Sequence, residues 1–287
     1  MQAVVITAYK SFEQLQELAE LLSKKFLVYI HIDRRVPEVA YKALKLTGGG
    51  IRVYSLYRVN WGGSNHLKAI LYLMKEALQE NPEIDYIHII SGQDWPTRPV
   101  EEIYDFFDGN PDIYMCSESL NDKSNKNLKR ISAWQRYYSF LDIFNYKNMR
   151  EKILVKGFVQ FQKLIGVDRL KKIDIDLYHG LVWGGMPGEA AKSCFEFIHE
   201  KPDFMTFMEY GHASEEFFFQ TVFENSEVWK PHIMNKNLRY MLWERKNGSY
   251  PGILDEEDLN GIKTGNYMFM RKVEFPISRE FVNKLEI

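Results

Sequence analysis

Residues 4–33 read VVITAYKSFEQLQELAELLSKKFLVYIHID, and this stretch decides the fold. Val4 to Ala8 is a short β-branched run, long enough for a buried parallel strand. Ser11 has the side chain of a helix N-cap, with Gln14 three residues on as in a capping box. Phe12, Leu15, Leu18, Leu21 and Leu22 then recur at helical spacing to about Lys25. Phe26 to Ile32 is a second apolar run, closed by Asp33. Strand, helix and strand in so short a span make a βαβ unit.

The same alternation continues outward. Ile51 to Ser55 reads as a third strand, Asn60-Trp61-Gly62-Gly63 as a turn, and Ser64 as the cap of a helix from about Asn65 to Gln79. Asp85 to Ile90 is a fourth strand, ending in the polar turn Ser91-Gly92-Gln93-Asp94-Trp95-Pro96. Val100 to Phe107 reads as a helix and Ile113 to Cys116 as a fifth strand. Strands alternating with helices predict an α/β fold with an open, mostly parallel sheet flanked by helices. After Ser117 the composition shifts. Asn121 to Arg130 is polar and basic, and Trp134 to Lys172 is aromatic and basic, which predicts a helical excursion that either is merely solvated or carries acceptor contacts. From Leu177 the α/β character returns, with a strand expected at Leu181 to Trp183 and helices at Gly188 to His199 and Glu215 to Phe223; Val228 to Val273 is loop-rich. Without a Pro/Gly/Ser-rich linker, residues 1–287 read as one domain.

Composition narrows the function classes. Apolar residues at 45% and charged residues at 26% exclude disorder, collagen and a coiled coil. Lys+Arg 37 against Asp+Glu 39 leaves a net charge of -2, so nothing advertises nucleic acid as a partner. Cys116 and Cys194 are too few for a disulfide framework and read as buried thiols of a reducing compartment. The N-terminal run reads as a first strand rather than a signal peptide, and no apolar stretch is long enough to span a membrane. The expected location is cytoplasmic, and peripheral membrane association is compatible with that reading. Fingerprints of P-loop, Rossmann, nucleophile-elbow and zinc-protease type are missing.

Several short motifs remain. Asp174-Ile175-Asp176 has the pattern of a divalent-metal pair, since hard cations prefer carboxylate oxygens. It follows a basic helix end rather than a sheet strand, which favours a solvated turn. In Ser214-Glu215-Glu216-Phe217-Phe218-Phe219-Gln220-Thr221 two acids precede an aromatic wall. A carboxylate held against such a wall has the raised pKa a general base needs, although glutamates that complement a helix dipole look the same. Arg239 and Lys272 could neutralise a leaving diphosphate without metal, or make ordinary surface salt bridges. Asp33, at a strand's carboxyl end, could accept from a base or a ribose hydroxyl.

Taken in order, Ile30-His31-Ile32-Asp33-Arg34, Asn60-Trp61-Gly62-Gly63, Ile89 to Pro96, Gly180-Leu181-Val182-Trp183, Glu216 to Thr221, Asn237-Leu238-Arg239 and Phe269-Met270-Arg271-Lys272 are more specific than any one alone. The chain resembles the core-2/I-branching β-1,6-N-acetylglucosaminyltransferase family, with its peptide O-xylosyltransferases, and looks like a bacterial-type member. The resemblance runs from about Val4 to Val273. It implies a GT-A fold and an inverting, metal-independent transfer of a sugar, GlcNAc or xylose, from a UDP-sugar donor to a hydroxyl acceptor such as a glycan. No cofactor is implied, because the UDP-sugar is a substrate. Glu216 matches the family's base, and Arg239 and Lys272 the pair that holds the diphosphate. Thr7, Asp33, Trp61, Gly62 and Asp94 match segments around the nucleoside and donor, and Trp95, Trp183 and Glu215 an acceptor or sugar pocket. On this reading about 1–116 is the nucleotide-binding half, about 117–177 the helical excursion, and about 178–287 the acceptor and catalytic half. Departures are Ser214-Glu215-Glu216 where the family has Pro-Asp-Glu, Leu181 for a small polar residue, and Gly184-Gly185 for bulkier ones. Two rival readings are a metal-dependent retaining transferase using Asp174 and Asp176, and a non-catalytic nucleotide-sugar binding protein.

Overall fold

The computed structural model describes residues 1–42, 44, 49–121, 125–145, 148–285 and 287, with side chains 125–128 left aside. Part of the polar run Asn121 to Arg130 therefore lies outside the described residues. The opening unit is as the sequence predicts: β1 (Gln2–Ala8), α1 (Phe12–Leu22) and β2 (Leu27–Ile32), with the strands parallel and Val4 opposite Val28. β3 (Ile51–Tyr54), α2 (Asn65–Glu80), β4 (Tyr86–Ser91), β5 (Asp94–Pro96) and α3 (Val100–Phe107) follow. The excursion holds β6 (Glu118–Ser119), α4 (Asn125–Trp134) and α5 (Met149–Leu164). Then come β7 (Tyr178–His179), β8 (Gly184–Pro187), α6 (Gly188–Glu200), α7 (Pro202–Glu209) and α8 (Phe218–Glu224). The chain closes with β9 (Arg239–Met241), α9 (Leu259–Thr264), β10 (Phe269–Arg271) and α10 (Arg279–Asn283).

The central sheet has the order β3-β2-β1-β4-β8, parallel except for the antiparallel β8. Because strand side chains alternate between faces, β1 feeds two cores. Ala3 and Val5 meet Leu67, Ile70 and Met74 of α2 on one face, while Val4 and Ile6 meet Leu15, Leu18 and Leu22 of α1 on the other. Each fully buried Leu or Ile there contributes roughly 1.5–3 kcal/mol. This is the open, mostly parallel sheet flanked by helices, with a helical insertion, that a GT-A fold calls for. A smaller sheet, β5-β10-β9, and the pair β6-β7 lie beside it.

Several local expectations change. Ser11 has a left-handed backbone (φ 55) and makes no side-chain cap. Gln14 is no capping-box partner either. It is buried, donates to the carbonyls of Gly92 and Val273 at 3.1 and 3.0 Å, and accepts from the Phe275 amide at 2.9 Å. α2 is capped from outside: Asp142 accepts from Asn65 N at 2.9 Å and from Ser64 Oγ at 2.7 Å. Ile113 to Cys116 makes only two isolated bridges, Ile113 to Ile233 and Tyr114 to Gly185. Residues 181–183 form the loop between β7 and β8, and the strand begins instead at Gly184, where a Cβ would stand 2.5 Å from the Tyr114 carbonyl. The expected helix from Glu215 splits into a 3-10 turn, Ser214–Glu216, and α8. The Ser214 hydroxyl donates to the Met208 carbonyl. Both cysteines are free thiols, Cys194 buried and Cys116 half-buried. Among the described residues, no helix is long and apolar enough to cross a membrane.

Candidate active site

The small sheet draws three charged residues together. In the β5–β10 pairing Asp94 lies opposite Arg271, and Arg239 enters from β9. Asp94 is fully buried, with Oδ1 2.8 Å from Arg239 Nε and Oδ2 2.9 Å from Arg271 Nη1. Ser91, at the end of β4, donates its amide to the same carboxylate at 2.9 Å and its hydroxyl at 2.5 Å. Arg271 also donates to Ser91 Oγ, and its guanidinium lies 4.5 Å from the Trp183 ring centroid in a cation–π contact.

Trp183 links this cluster to a second one. The His66 ring centroid is 5.8 Å from that of Trp183. From the first turn of α2, His66 reaches Thr7 Oγ1 with Nε2 at 3.0 Å and Glu215 Oε1 with Nδ1 at 3.1 Å. The consistent tautomer has Nδ1–H donating to the carboxylate and Nε2 accepting from the Thr7 hydroxyl. Glu215 is buried, and its Oε2 has no hydrogen-bond partner among the described residues.

Glu216 is half-buried beside it and held by its backbone. Its carbonyl accepts from Gly180 N at 2.8 Å. Only glycine fits at 180, because a Cβ would stand 1.8 Å from the Cys116 carbonyl oxygen. Gln220 Nε2 donates to the Leu181 carbonyl at 3.0 Å, tying the same two segments one turn further on. Burial pushes the Glu216 carboxyl up to about 7, with the Glu215 charge adding to the rise and Arg130 opposing it. A carboxylate that titrates near neutrality, anchored by its main chain, can take a proton from a weakly acidic hydroxyl.

Arg239 does not present its charge to solvent, because its side chain is 1% exposed against Asp94. Lys272 is half-buried and donates to Ser249 Oγ at 3.1 Å and to the Tyr250 carbonyl at 3.4 Å. Asp33 is buried, and both of its oxygens are engaged by Arg35 and by backbone amides. Burial alone would raise its pKa, but the Arg35 and Val59 donors outweigh that and hold it below the ordinary carboxylate value. His31 is lowered to about 4, chiefly by burial, and as a neutral ring accepts the Leu56 and Tyr57 amides. The end of β2 thus shapes the 55–60 loop that delivers Trp61.

Trp61 is 61% exposed, with His212 edge-on at 5.3 Å. Gly62 needs its positive φ of 80, and a Cβ there would meet His212 Nε2 at 2.9 Å. A groove of about 340 Å³ runs between Trp61 and His212 on one side and Val155, Lys156, Val159 and Gln160 of α5 on the other. Trp95 is buried against Phe275 in the core. Asp174 and Asp176 are exposed on the loop before β7, where Asp176 accepts from Asn121 at 3.0 Å. Among the described residues, no group of three or more acids, histidines or cysteines is gathered as a metal site.

Thr7, Asp94, Trp183, Glu215 and Arg239 therefore belong to one connected network. Sequence reading missed His66 and the linking role of Arg271, whose partners are 149 and 177 residues away in the chain.

A 97-residue segment is 30% identical to a protein named Xylosyltransferase oxt from Drosophila melanogaster; the match covers 33% of this chain and 11% of the fly protein. The family model described as Core-2/I-Branching enzyme matches residues 3–263, nearly the whole chain. That match, over a GT-A-like sheet, places this chain in the Core-2/I-Branching enzyme family.

Proposed function

We propose that the enzyme moves a sugar, GlcNAc or xylose, from a UDP-sugar to an acceptor hydroxyl with inversion and without a metal ion. The observation that carries the reading is Glu216, anchored through Gly180 and titrating near 7. Glu216 takes the proton of the acceptor hydroxyl as its oxygen forms a bond to the anomeric carbon. The bond from that carbon to the diphosphate oxygen breaks on the opposite face, and its electron pair leaves with UDP. A positioned base supplies about 10²–10⁴ in rate, and one well-placed donor to the departing charge about 10²–10³.

Lys272 is the cation for the diphosphate, and Arg271, its neighbour in the chain, supplies a second positive charge. Arg239 is a positioning residue: by pairing with Asp94 it fixes the carboxylate that orients Arg271. The groove beside Trp61 is the acceptor side, since an aromatic wall suits the apolar face of a sugar ring. Asp33 shapes the 55–60 loop rather than meeting the base, because its oxygens are already engaged.

The test is UDP release from UDP-GlcNAc, UDP-xylose, UDP-glucose and UDP-galactose, each with and without Glu216→Gln. Transfer should fall by roughly 10²–10⁴ while UDP binding persists. In the wild type kcat/KM should rise with pH to a limb near 7. Glu215→Gln should move that limb to lower pH, because the Glu215 charge raises it. Near-normal transfer by Glu216→Gln would reject the assignment. UDP binding without turnover of any donor in the wild type would leave a nucleotide-sugar binding protein instead.

A further inference from the structure

The outward face of α5 has no role in the chemistry above. Ile153, Leu154, Phe158, Phe161 and Leu164, with Ile165 just beyond the helix, are all exposed, Leu164 by 85% and Ile153 by 64%. At 100° per residue these side chains cover close to half the circumference. The inward face is set by Val155 and Gln162, both buried, with Gln162 bonded to the Tyr137 main chain at 2.8 and 3.0 Å. Lys156 and Lys163 are exposed and seven residues apart, so they lie on one line between the apolar arc and the groove, which Lys156 also lines. Glu151 is the sole acid between residues 149 and 165, and its carboxylate is turned to the Asn145 amide. The exposed face is therefore apolar with a cationic edge.

An apolar arc this wide marks an interaction surface. We propose that α5 docks in the plane of an anionic lipid surface, with the Phe and Leu side chains among the acyl chains and the lysines reaching the headgroups. Charge complementarity decides for lipid. A helix with one apolar face, a lysine border and almost no acid is what anionic headgroups bind, and lysine stems of this length carry their ammonium groups out to the phosphates. The inner side of the same helix lines the groove beside Trp61, so docking would set that groove near the lipid surface.

The experiment is vesicle co-sedimentation of the full chain without donor, so its outcome does not depend on the proposed catalytic reading. Vesicles of phosphatidylcholine with about one third phosphatidylglycerol should bind the protein, neutral phosphatidylcholine vesicles should bind it far less, and salt should weaken the interaction. Lys156→Gln with Lys163→Gln should lower partition roughly 25-fold, about fivefold per charge. Phe161→Ser with Leu164→Ser should lower it at least tenfold. All four positions are exposed, so the melting temperature should stay put and separate lost docking from lost folding. The proposal fails if the protein does not sediment, or if neutral and anionic vesicles bind alike. It also fails if light scattering finds a dimer that the Phe161/Leu164 variant dissolves, which would give the face to a second copy.

Discussion

Glu216→Gln should make the protein more stable above neutral pH while removing its activity. In the fold the carboxyl titrates at about 7, against an ordinary 4.5, chiefly because it is buried. An acid with a raised folded pKa holds its proton more tightly in the native state, so stability falls as pH rises from 4.5 to about 7. Above 7 the cost of the buried charge is fully present, and below 4.5 it is absent. At ~1.4 kcal/mol per pH unit this rise amounts to on the order of 3 kcal/mol. Glutamine has the carboxyl's shape and no charge to bury. Near pH 8 the variant should therefore melt roughly 5 °C higher than the wild type. Near pH 4.5 the wild-type side chain is itself protonated in the fold, and the two should melt together. Circular dichroism melts of both proteins at the two pH values read the difference, in which titrating groups other than the coupled Glu215 cancel. A variant no more stable than the wild type near pH 8, or a gap of equal size at both pH values, would refute the argument that burial sets this carboxyl.

Asp94→Asn leaves two arginines against a neutral amide, and breaking a buried pair this way costs about 3–5 kcal/mol; a melt within 1 °C or so of the wild type would show the cluster to be solvated. Arg239→Ala should lose stability for the same reason. Lys272→Ala or Arg271→Ala should weaken UDP about 10- to 100-fold, from ~1.5–3 kcal/mol per charged hydrogen bond, and leave uridine nearly unchanged. Titrating both ligands checks this, and equal losses for the two would place the phosphate site elsewhere. Activity should survive excess EDTA; loss with EDTA and rescue by Mn²⁺ would move the chemistry toward Asp174 and Asp176.

The sheet was readable because its strands are buried runs such as Val4 to Ala8, where β-branched sequence and environment agree. Helices with one clear apolar stripe, such as Val100 to Phe107, were equally plain. What failed were polar side chains that fit a local rule but serve a distant partner. Gln14 sits at a capping-box position and instead bridges Gly92 and Val273, and Ser64 shares its helix cap with Asp142, 78 residues on. β9 and β10 have three residues each, too short for a period to show. The candidate site was legible only in part for the same reason. Glu215 and Glu216 announce themselves by sitting before an aromatic wall. Arg239 looks like a surface cation until its strand is paired with β10, which turns it onto Asp94 and brings Arg271 toward Trp183.

Gln14 also sets a timetable for synthesis. Its amide is made well before one of its carbonyl partners, which lies 259 residues downstream. At ~5–20 residues per second the ribosome needs roughly ten to fifty seconds to reach that partner. Throughout that interval Gln14 lacks its Val273 and Phe275 partners, with only the Gly92 carbonyl made early, and β10, which brings Arg271 to Asp94, has yet to be made. A nascent chain stalled short of Val273 should therefore present its first βαβ layer to chaperones and proteases as an open sheet, and turnover should begin only when the C-terminal segment has seated on the N-terminal helix.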